Sequence, residues 1–343
     1  MDKNIVIILI YLLFYLTVGE LLLFVPLILL NIKYFRNNNK KIFFSIKNII
    51  NSSISFILVI LYPLKINVNS IELLKEINSK NKKKIIISNH PSELDPFILS
   101  ILFNNSNNLY SKTIYLSKKI LGLVIPSLGL ISIFTNDIYL DRNINSDKNK
   151  LDHKINFDKL ICFPEGTCFN YRRKKISDEY CIKNNLLIFK YHLYPRTKGL
   201  ELIINNNFDN SDISYIYDLT IIYNTIDKKN YGSHFNFLSF IYEHKFPTNI
   251  YVNIVKYKIY KNDNLIKKIE NIYINKDKFI KNFNQYYNDF FTIDYYYYYG
   301  LLNFILINFT CLLSFYLLYK FIILRYIYLI ELLSFLIYFY FYV

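Results

Sequence analysis

Tryptophan and alanine are both absent from this chain. With its heavy use of Asn, Lys, Ile, Tyr and Phe, that gap reflects an AT-rich coding sequence rather than a functional pressure. Cysteine is scarce: Cys162, Cys168, Cys181 and Cys311 show no paired metal-ligand spacing, and no histidines partner Cys162 and Cys168 in the sequence. No metal site is expected, and the four read as free thiols of a reducing compartment. His153, His192, His234 and His244 form no constellation and read as structural or exposed. No Gly-x-Ser-x-Gly elbow surrounds Ser92, and no repeat of about 20 to 50 residues occurs. Acidic side chains run short, 26 against 41 Lys plus Arg, which leaves a net charge of +15. Such a surface attracts anionic lipid and phosphorylated substrates. Nucleic acid is not expected as a partner, because no nucleic-acid motif accompanies the charge.

What is abundant is apolar sequence at both ends. Ile5 to Leu30 is broken only by Thr17, Gly19 and Glu20, and its 26 residues would form about 39 Å of helix, enough to cross a bilayer with tilt. The run exceeds a signal-peptide core and has no small-residue cleavage site, so it reads as an anchor. Leu301 to Val343 is a nearly continuous apolar tail whose charges are Lys320, Arg325 and Glu331; at 43 residues it fits two segments turning near Lys320. Lys33, Arg36, Lys40, Lys41 and Lys47 follow the first run while only Lys3 precedes it, so the region between should face the cytosol. Ile54 to Leu64, 11 residues, is too short to span.

These runs divide the chain into an N-terminal membrane anchor and basic flank (1–50), a central domain (51–297) and C-terminal membrane segments (298–343). Strands are expected at Ile85–Ser88, Thr113–Leu116, Ile138–Leu140, Leu160–Phe163, Tyr215–Tyr223 and Tyr251–Tyr260, where β-branched and aromatic residues cluster. Ile66–Lys84 reads as a strand and connector. Helices are expected at Lys118–Leu128 and Tyr180–Tyr191. The alternation predicts an α/β fold, a mixed sheet flanked by helices. Asn143–Lys154 and Asn205–Asp212 read as exposed polar insertions.

The chemistry concentrates after the first central strand, in Asn89-His90-Pro91-Ser92-Glu93-Leu94-Asp95. On a regular helix, five residues at about 100° each would set His90 and Asp95 roughly 140° apart. They meet only if the chain turns between them, which Pro91 and Ser92 favour before the apolar pattern restarts at Asp95-Pro96. A neutral imidazole takes a hydroxyl proton near pH 7, and a carboxylate on its other nitrogen fixes the tautomer and stabilises the imidazolium. A second element, Phe163-Pro164-Glu165-Gly166-Thr167, follows another apolar run and has the makings of a phosphate loop. Gly166 lets backbone approach closely and Thr167 adds a hydroxyl.

Asn89-His90 with Asp95, Leu140-Asp141-Arg142, Phe163-Pro164-Glu165-Gly166-Thr167 and Tyr194-Pro195-Arg196-Thr197-Lys198-Gly199 come in the order of the four blocks of the glycerolipid acyltransferases. From roughly Ile85 to Lys258 the chain resembles the 1-acylglycerol-3-phosphate acyltransferase and lysocardiolipin acyltransferase branch. The resemblance implies that family's fold, with an apolar channel for the acyl chain. His90 would act as base and Asp95 as its orienting acid, Arg142 would grip the acceptor phosphate, and Glu165, Gly166, Thr167 and Pro195 would shape the substrate site, Glu165 by organising the loop. Acyl-CoA would be the co-substrate, with no cofactor, and a lysophospholipid the acceptor, foremost 1-acyl-glycerol-3-phosphate, in the endoplasmic reticulum membrane. Remodelling of lysocardiolipin or lysophosphatidylinositol is the alternative, as is a transacylase or lipid hydrolase using the same base. Two departures stand out: the family often carries arginine after Glu-Gly-Thr, and here that position is Cys168, with Arg172 and Arg173 just downstream; and Asn136-Asp137-Ile138-Tyr139 precedes Leu140 where a more uniformly apolar run is usual.

Overall fold

The computed structural model describes residues 44–45, 47–49, 65–79, 83–104, 111–118, 135, 137–141, 144–151, 155–207, 213–224 and 249–293, with single helical positions at 302, 305, 309, 316 and 326. The expected anchor at 5–30, the 54–64 stretch, Arg142 and most of the C-terminal tail lie outside the described residues. Among the described residues, no helix is long and apolar enough to cross a membrane.

In chain order the elements are β1 (Lys65–Val68), α1 (Ile71–Asn78), β2 (Lys84–Ser88), α2 (Asp95–Asn104), β3 (Thr113–Lys118), β4 (Ile138–Leu140), α3 (Ile144–Leu151), β5 (Lys159–Cys162), α4 (Tyr171–Lys183), α5 (Thr197–Asn207), β6 (Ile213–Asn224), β7 (Asn249–Tyr260), α6 (Leu265–Lys281), α7 (Phe283–Tyr286) and β8 (Phe291–Thr292). They fall into two compact units, one of residues 57–106 with 143–295, the other of 1–56 with 107–142 and 296–343.

The larger unit holds six strands in the order β5-β2-β6-β7-β1-β8. β2 pairs in parallel with both β5 and β6, β6 and β7 form an antiparallel pair from Ile213↔Tyr260 to Asn224↔Asn249, and β1 runs parallel to β7. This is the mixed sheet expected from the sequence. β2 is buried along its whole length, which is why it reads as an unbroken apolar run rather than an alternating one. α6 shows the complementary logic. Leu265, Ile269, Ile272, Tyr273 and Ile280 recur at helical period and are buried, while Asn264 caps the start by accepting from the Lys267 amide at 3.1 Å. The same face carries Lys276, whose buried ammonium pairs with Asp218 at 2.6 Å and donates to the Leu219 carbonyl. Burial lowers the lysine pKa and raises that of the aspartate, so each group depends on the other to stay charged.

Four expectations need correction here. The segment after β1 is not a plain connector: Ser70 caps α1, and Leu74 and Ile77 turn inward. Asn143–Lys154 is not wholly an exposed loop, because α3 occupies 144–151 and buries Asp147 and Leu151. α5 likewise continues into the Asn-rich stretch as far as Asn207, which is buried and accepts from the Ile155 amide at 3.0 Å. The helix expected at Tyr180–Tyr191 instead covers Tyr171–Lys183. It stops at Asn184, and Asn185 takes φ 52°, a left-handed conformation that asparagine tolerates and that ends a helix.

In the smaller unit β3 and β4 pair in parallel, Leu116 opposite Ile138. Lys118 closes β3, and the rest of the helix expected at Lys118–Leu128 lies outside the described residues. Lys47, expected in an exposed basic flank, is buried: it donates to both Asp137 carboxylate oxygens at 2.7 Å and to the Thr113 carbonyl at 2.9 Å. That pair accounts for the polar Asp137 just before an apolar strand, since Asp137 also accepts from the Tyr115 amide at 3.0 Å.

Candidate active site

The site begins where β2 ends. Asn89 continues the ladder with its side chain, donating to the Ile221 carbonyl at 2.9 Å and accepting from the Ile221 amide at 2.7 Å. This pair of hydrogen bonds fixes the chain at the carboxyl end of a parallel strand, the edge at which open α/β sheets present their ligand sites. His90 is the next residue out. The backbone then turns through 91–94, with the Asp95 amide bonded to the Ser92 carbonyl and the Leu94 amide to Ser92 Oγ. α2 starts at Asp95, and Pro96 sits in its first turn, where a missing N–H costs nothing. The result is the turn the sequence required: His90 Nδ1 lies 2.8 Å from Asp95 Oδ2.

Asp95 has no solvent exposure and is saturated with donors. The Ser92 amide donates to Oδ2 at 2.9 Å and the Tyr223 hydroxyl to Oδ1 at 2.5 Å. Burial pushes the carboxyl pKa up, and the downward pulls of His90, Tyr223 and Ser92 offset it only in part. Three donors on two oxygens suit the ionised acid, so we assign the proton to Nδ1. At His90, burial works to lower the imidazole pKa and is outweighed first by the Asp95 bond, then by the Cys168 bond and the charges of both. The net effect raises it from 6.5 to about 10. The ring is held face on by Phe163, stacked at 4.2 Å between centroids and 22° between planes.

The loop after β5 clips onto His90 from the other side. Glu165 Oε1 accepts from the His90 amide at 3.1 Å and Oε2 from the Leu193 amide at 3.0 Å. The Phe169 amide returns a bond to the His90 carbonyl at 2.7 Å. Glu165 therefore meets backbone donors with both oxygens and is buried. Behind it stands His192, also buried, with Nδ1 3.7 Å from Glu165 Oε1 and its ring edge-on to Tyr273. Gly166 takes φ +68°, and a Cβ there would come within 3.2 Å of Arg196 Cδ. Thr167 is half-buried in the same loop.

Pro195 is buried, and the Arg196 amide bonds the Pro164 carbonyl at 2.7 Å, which lays the exposed Arg196 side chain over Gly166. Thus His90, Asp95, Glu165, Gly166, Thr167 and Pro195 gather at one sheet edge, while Arg142 lies outside the described residues. Sequence reasoning missed three neighbours. Tyr223 lies 128 positions from Asp95, and only the register of β6 against β2 reveals it. Arg196 was legible as a cation in the fourth block. Cys168, noted only as a departure, lies with Sγ 3.2 Å from His90 Nε2. Arg173 donates to the Cys168 carbonyl at 3.1 Å, so it supports the loop from below.

A buried acid orienting a histidine at the end of a parallel strand, with a glycine loop and an arginine beside it, is an arrangement chemically able to move a proton beside an anionic group. Residues 65–204 match the model of the Acyltransferase family. Lysophosphatidylinositol acyltransferase 10 of Caenorhabditis elegans is 31% identical over 146 residues, 40% of this chain and 37% of that protein. 1-acyl-sn-glycerol-3-phosphate acyltransferase 2 of Arabidopsis thaliana is 30% identical over 146 residues, 40% of this chain and 36% of that protein. Lysocardiolipin acyltransferase 1 of Danio rerio is 25% identical over 149 residues, 41% and 38% of the two chains. The match thus spans less than two fifths of the length of each relative. The crystal structure of the 1-acyl-sn-glycerophosphate (LPA) acyltransferase PlsC from Thermotoga maritima superposes with a TM-score of 0.42 and 14% identity, over 80% of this chain and 92% of that one.

Proposed function

We propose that this protein transfers a fatty acyl group from acyl-CoA to the free hydroxyl of a lysophospholipid, with 1-acyl-glycerol-3-phosphate as the acceptor and phosphatidic acid as the product. The observation that carries the reading is the 2.8 Å contact between His90 Nδ1 and the buried Asp95. It leaves Nε2 as the nitrogen that handles the substrate's proton. As the acceptor oxygen attacks the thioester carbonyl, Nε2 takes the hydroxyl proton, Asp95 stabilises the imidazolium, and the CoA thiolate leaves with that proton. Arg196 over Gly166 and Arg142 are the cations we assign to the acceptor phosphate, since a planar fork matches phosphate oxygens.

A bilayer setting is supported by the apolar runs at both ends of the sequence. It is also supported by Tyr171, Ile176, Tyr180, Ile182, Leu187 and Ile188, each more than half exposed on and just after the helix that follows Cys168. We place the protein in the endoplasmic reticulum membrane with the catalytic domain on the cytosolic side. The test is sustained CoA release from acyl-CoA in the presence of lysophosphatidic acid, lysophosphatidylinositol or lysocardiolipin. His90→Ala should lower it about 100- to 10,000-fold, the range of a general base. Sustained acceptor-dependent turnover in His90→Ala would remove His90 from the mechanism, and free fatty acid as the main product would make the protein a hydrolase.

A further inference from the structure

We propose that Tyr223 is a positioning residue that completes a buried chain of three, Tyr223 to Asp95 to His90, and sets how tightly His90 holds its proton. The inference rests on the acyl-transfer reading above and deepens it, because His90 serves as a base only while Nε2 is free.

The chain of contacts is continuous. The Tyr223 hydroxyl donates to Asp95 Oδ1 at 2.5 Å, while Oδ2 accepts from His90 Nδ1 at 2.8 Å and from the Ser92 amide at 2.9 Å. Each carboxylate oxygen has its own donor, so the carboxylate cannot turn without breaking a charge-assisted bond. Tyr223 and Asp95 are both without solvent exposure, a setting in which a hydrogen bond to a charge counts most. Burial first, then the Asp95 carboxylate, holds the phenol well above the usual tyrosine value, so it remains a donor at neutral pH. The sheet builds this position. β6 runs between β2 and β7, with Ser88 opposite Leu219 and Tyr223 opposite Ile250. The Asn89 side chain clamps Ile221 by both its backbone groups, and Tyr223 stands two residues further on, beyond the end of β2, at the first residue of α2. A phenylalanine would fill the same space. The hydroxyl is what reaches the acid that orients the base.

Its effect on His90 follows from charge. Asp95 stabilises the imidazolium through its negative charge, and a donor on Oδ1 draws part of that charge away from Oδ2. The phenol favours the state in which Nε2 is bare and the pair carries a net negative charge over the state in which the imidazolium neutralises it. Asp95 therefore holds the proton on the ring, and Tyr223 loosens that hold. The other groups facing this chain are the Ser92 amide and side chain from the turn, with Cys168 and Glu165 from the loop after β5. Losing a donor of this kind, felt in part through the carboxylate, should raise the pH at which Nε2 becomes free by about half to one unit. That leaves about three- to tenfold less bare base at neutral pH.

The test uses the full-length chain in detergent and reads His90 without substrate. Diethyl pyrocarbonate carbethoxylates an unprotonated ring nitrogen, and mass spectrometry of the peptide containing His90 gives the rate at neutral pH. Tyr223→Phe should slow this labelling about three- to tenfold. A fluorinated tyrosine at position 223, a more acidic phenol and so a stronger donor, should speed it. In the Asp95→Asn background, where the charge is gone, Tyr223→Phe should change the rate by less than about twofold. A phenol that only fills and ties the core predicts the opposite sign, since loosening the pair frees the ring. In turnover, Tyr223→Phe should lower kcat at neutral pH by the same factor and leave the KM for acyl-CoA unchanged. Labelling of Tyr223→Phe at or above the wild-type rate, or a fluorinated tyrosine that leaves the rate unmoved, would overturn the proposal. The fluorinated residue keeps the shape of the phenol, so it decides the outcome even where Tyr223→Phe does not fold. The expected order of labelling, with no CoA release for any lysolipid, would uphold the chain of three and overturn the transferase reading.

Discussion

Replacing Asp95 by Asn tests the His90–Asp95 unit without emptying the space it fills. The side chain is nearly isosteric and can still accept from Tyr223, but its amide group now meets the Ser92 amide or Nδ1, donor against donor. The imidazole loses the partner whose hydrogen bond and charge raise it, while the burial that lowers it remains, so its pKa falls from about 10. A return to the ordinary 6.5 would forfeit on the order of 5 kcal/mol of imidazolium stabilisation, at 1.36 kcal/mol per unit. Cys168 shares in the upward pull, so about 3 to 5 kcal/mol is the expected loss, or about 100- to 5,000-fold in kcat. The assay is CoA release against pH from 5.5 to 10 for both proteins, with KM followed separately. The variant should show the drop in kcat, a largely unchanged KM for acceptor and an acid shift of the His90 limb. Stability gives an independent sign. A histidine whose folded pKa is raised contributes stability that is complete below about 6.5 and is lost as pH rises through about 10. The advantage of wild type over Asp95→Asn in urea denaturation should therefore shrink across that window. A kcat within about threefold of wild type, with the pH limb unmoved, would refute the reasoning.

Tyr223→Phe removes a fully buried hydroxyl donor from the same carboxylate and should cost about 1.5 to 3 kcal/mol in denaturant unfolding, the range for a hydrogen bond to a charged group; equal midpoints would show that the bond contributes nothing. Gly166→Ala places a Cβ at φ +68° and should destabilise by about 1 to 2 kcal/mol. Because that Cβ also meets Arg196 Cδ at 3.2 Å, the variant should raise the KM for the phosphate-bearing acceptor more than that for acyl-CoA. Equal changes in both constants would detach Arg196 from the acceptor phosphate.

The parts of this fold legible in the sequence are those with a strong local signal. β2 and β5 are runs of Ile and Leu flanked by polar residues, and β6 and β7 are long and β-branched, so strand identity needed no tertiary information. The turn between His90 and Asp95 was legible because a helix could not have joined them. α3 was not, since INSDKNKL is almost entirely polar and its burial of Leu151 and Asp147 is decided by tertiary packing. α1 could have been found from Ser70 followed by Leu74 and Ile77 at helical spacing; the lysines around it masked the pattern. Lys47 and Asp137 were read as a flanking charge and an irregularity, and only their 90-residue separation kept the ion pair hidden.

Cys168 illustrates what a sequence departure means once distances are known. At this position a cation such as the family's usual arginine would repel an imidazolium and lower the His90 pKa, a setting suited to a neutral ring that takes a proton from an alcohol. A thiol 3.2 Å from Nε2 does the reverse and contributes to raising the imidazole to about 10. The substitution therefore changes more than one phosphate contact. Arg196, lying over Gly166 from the fourth block, leaves a cation beside the loop for the acceptor phosphate, so a thiol can stand at position 168 without stripping the site of positive charge. Anion binding and proton transfer are thereby carried by separate residues.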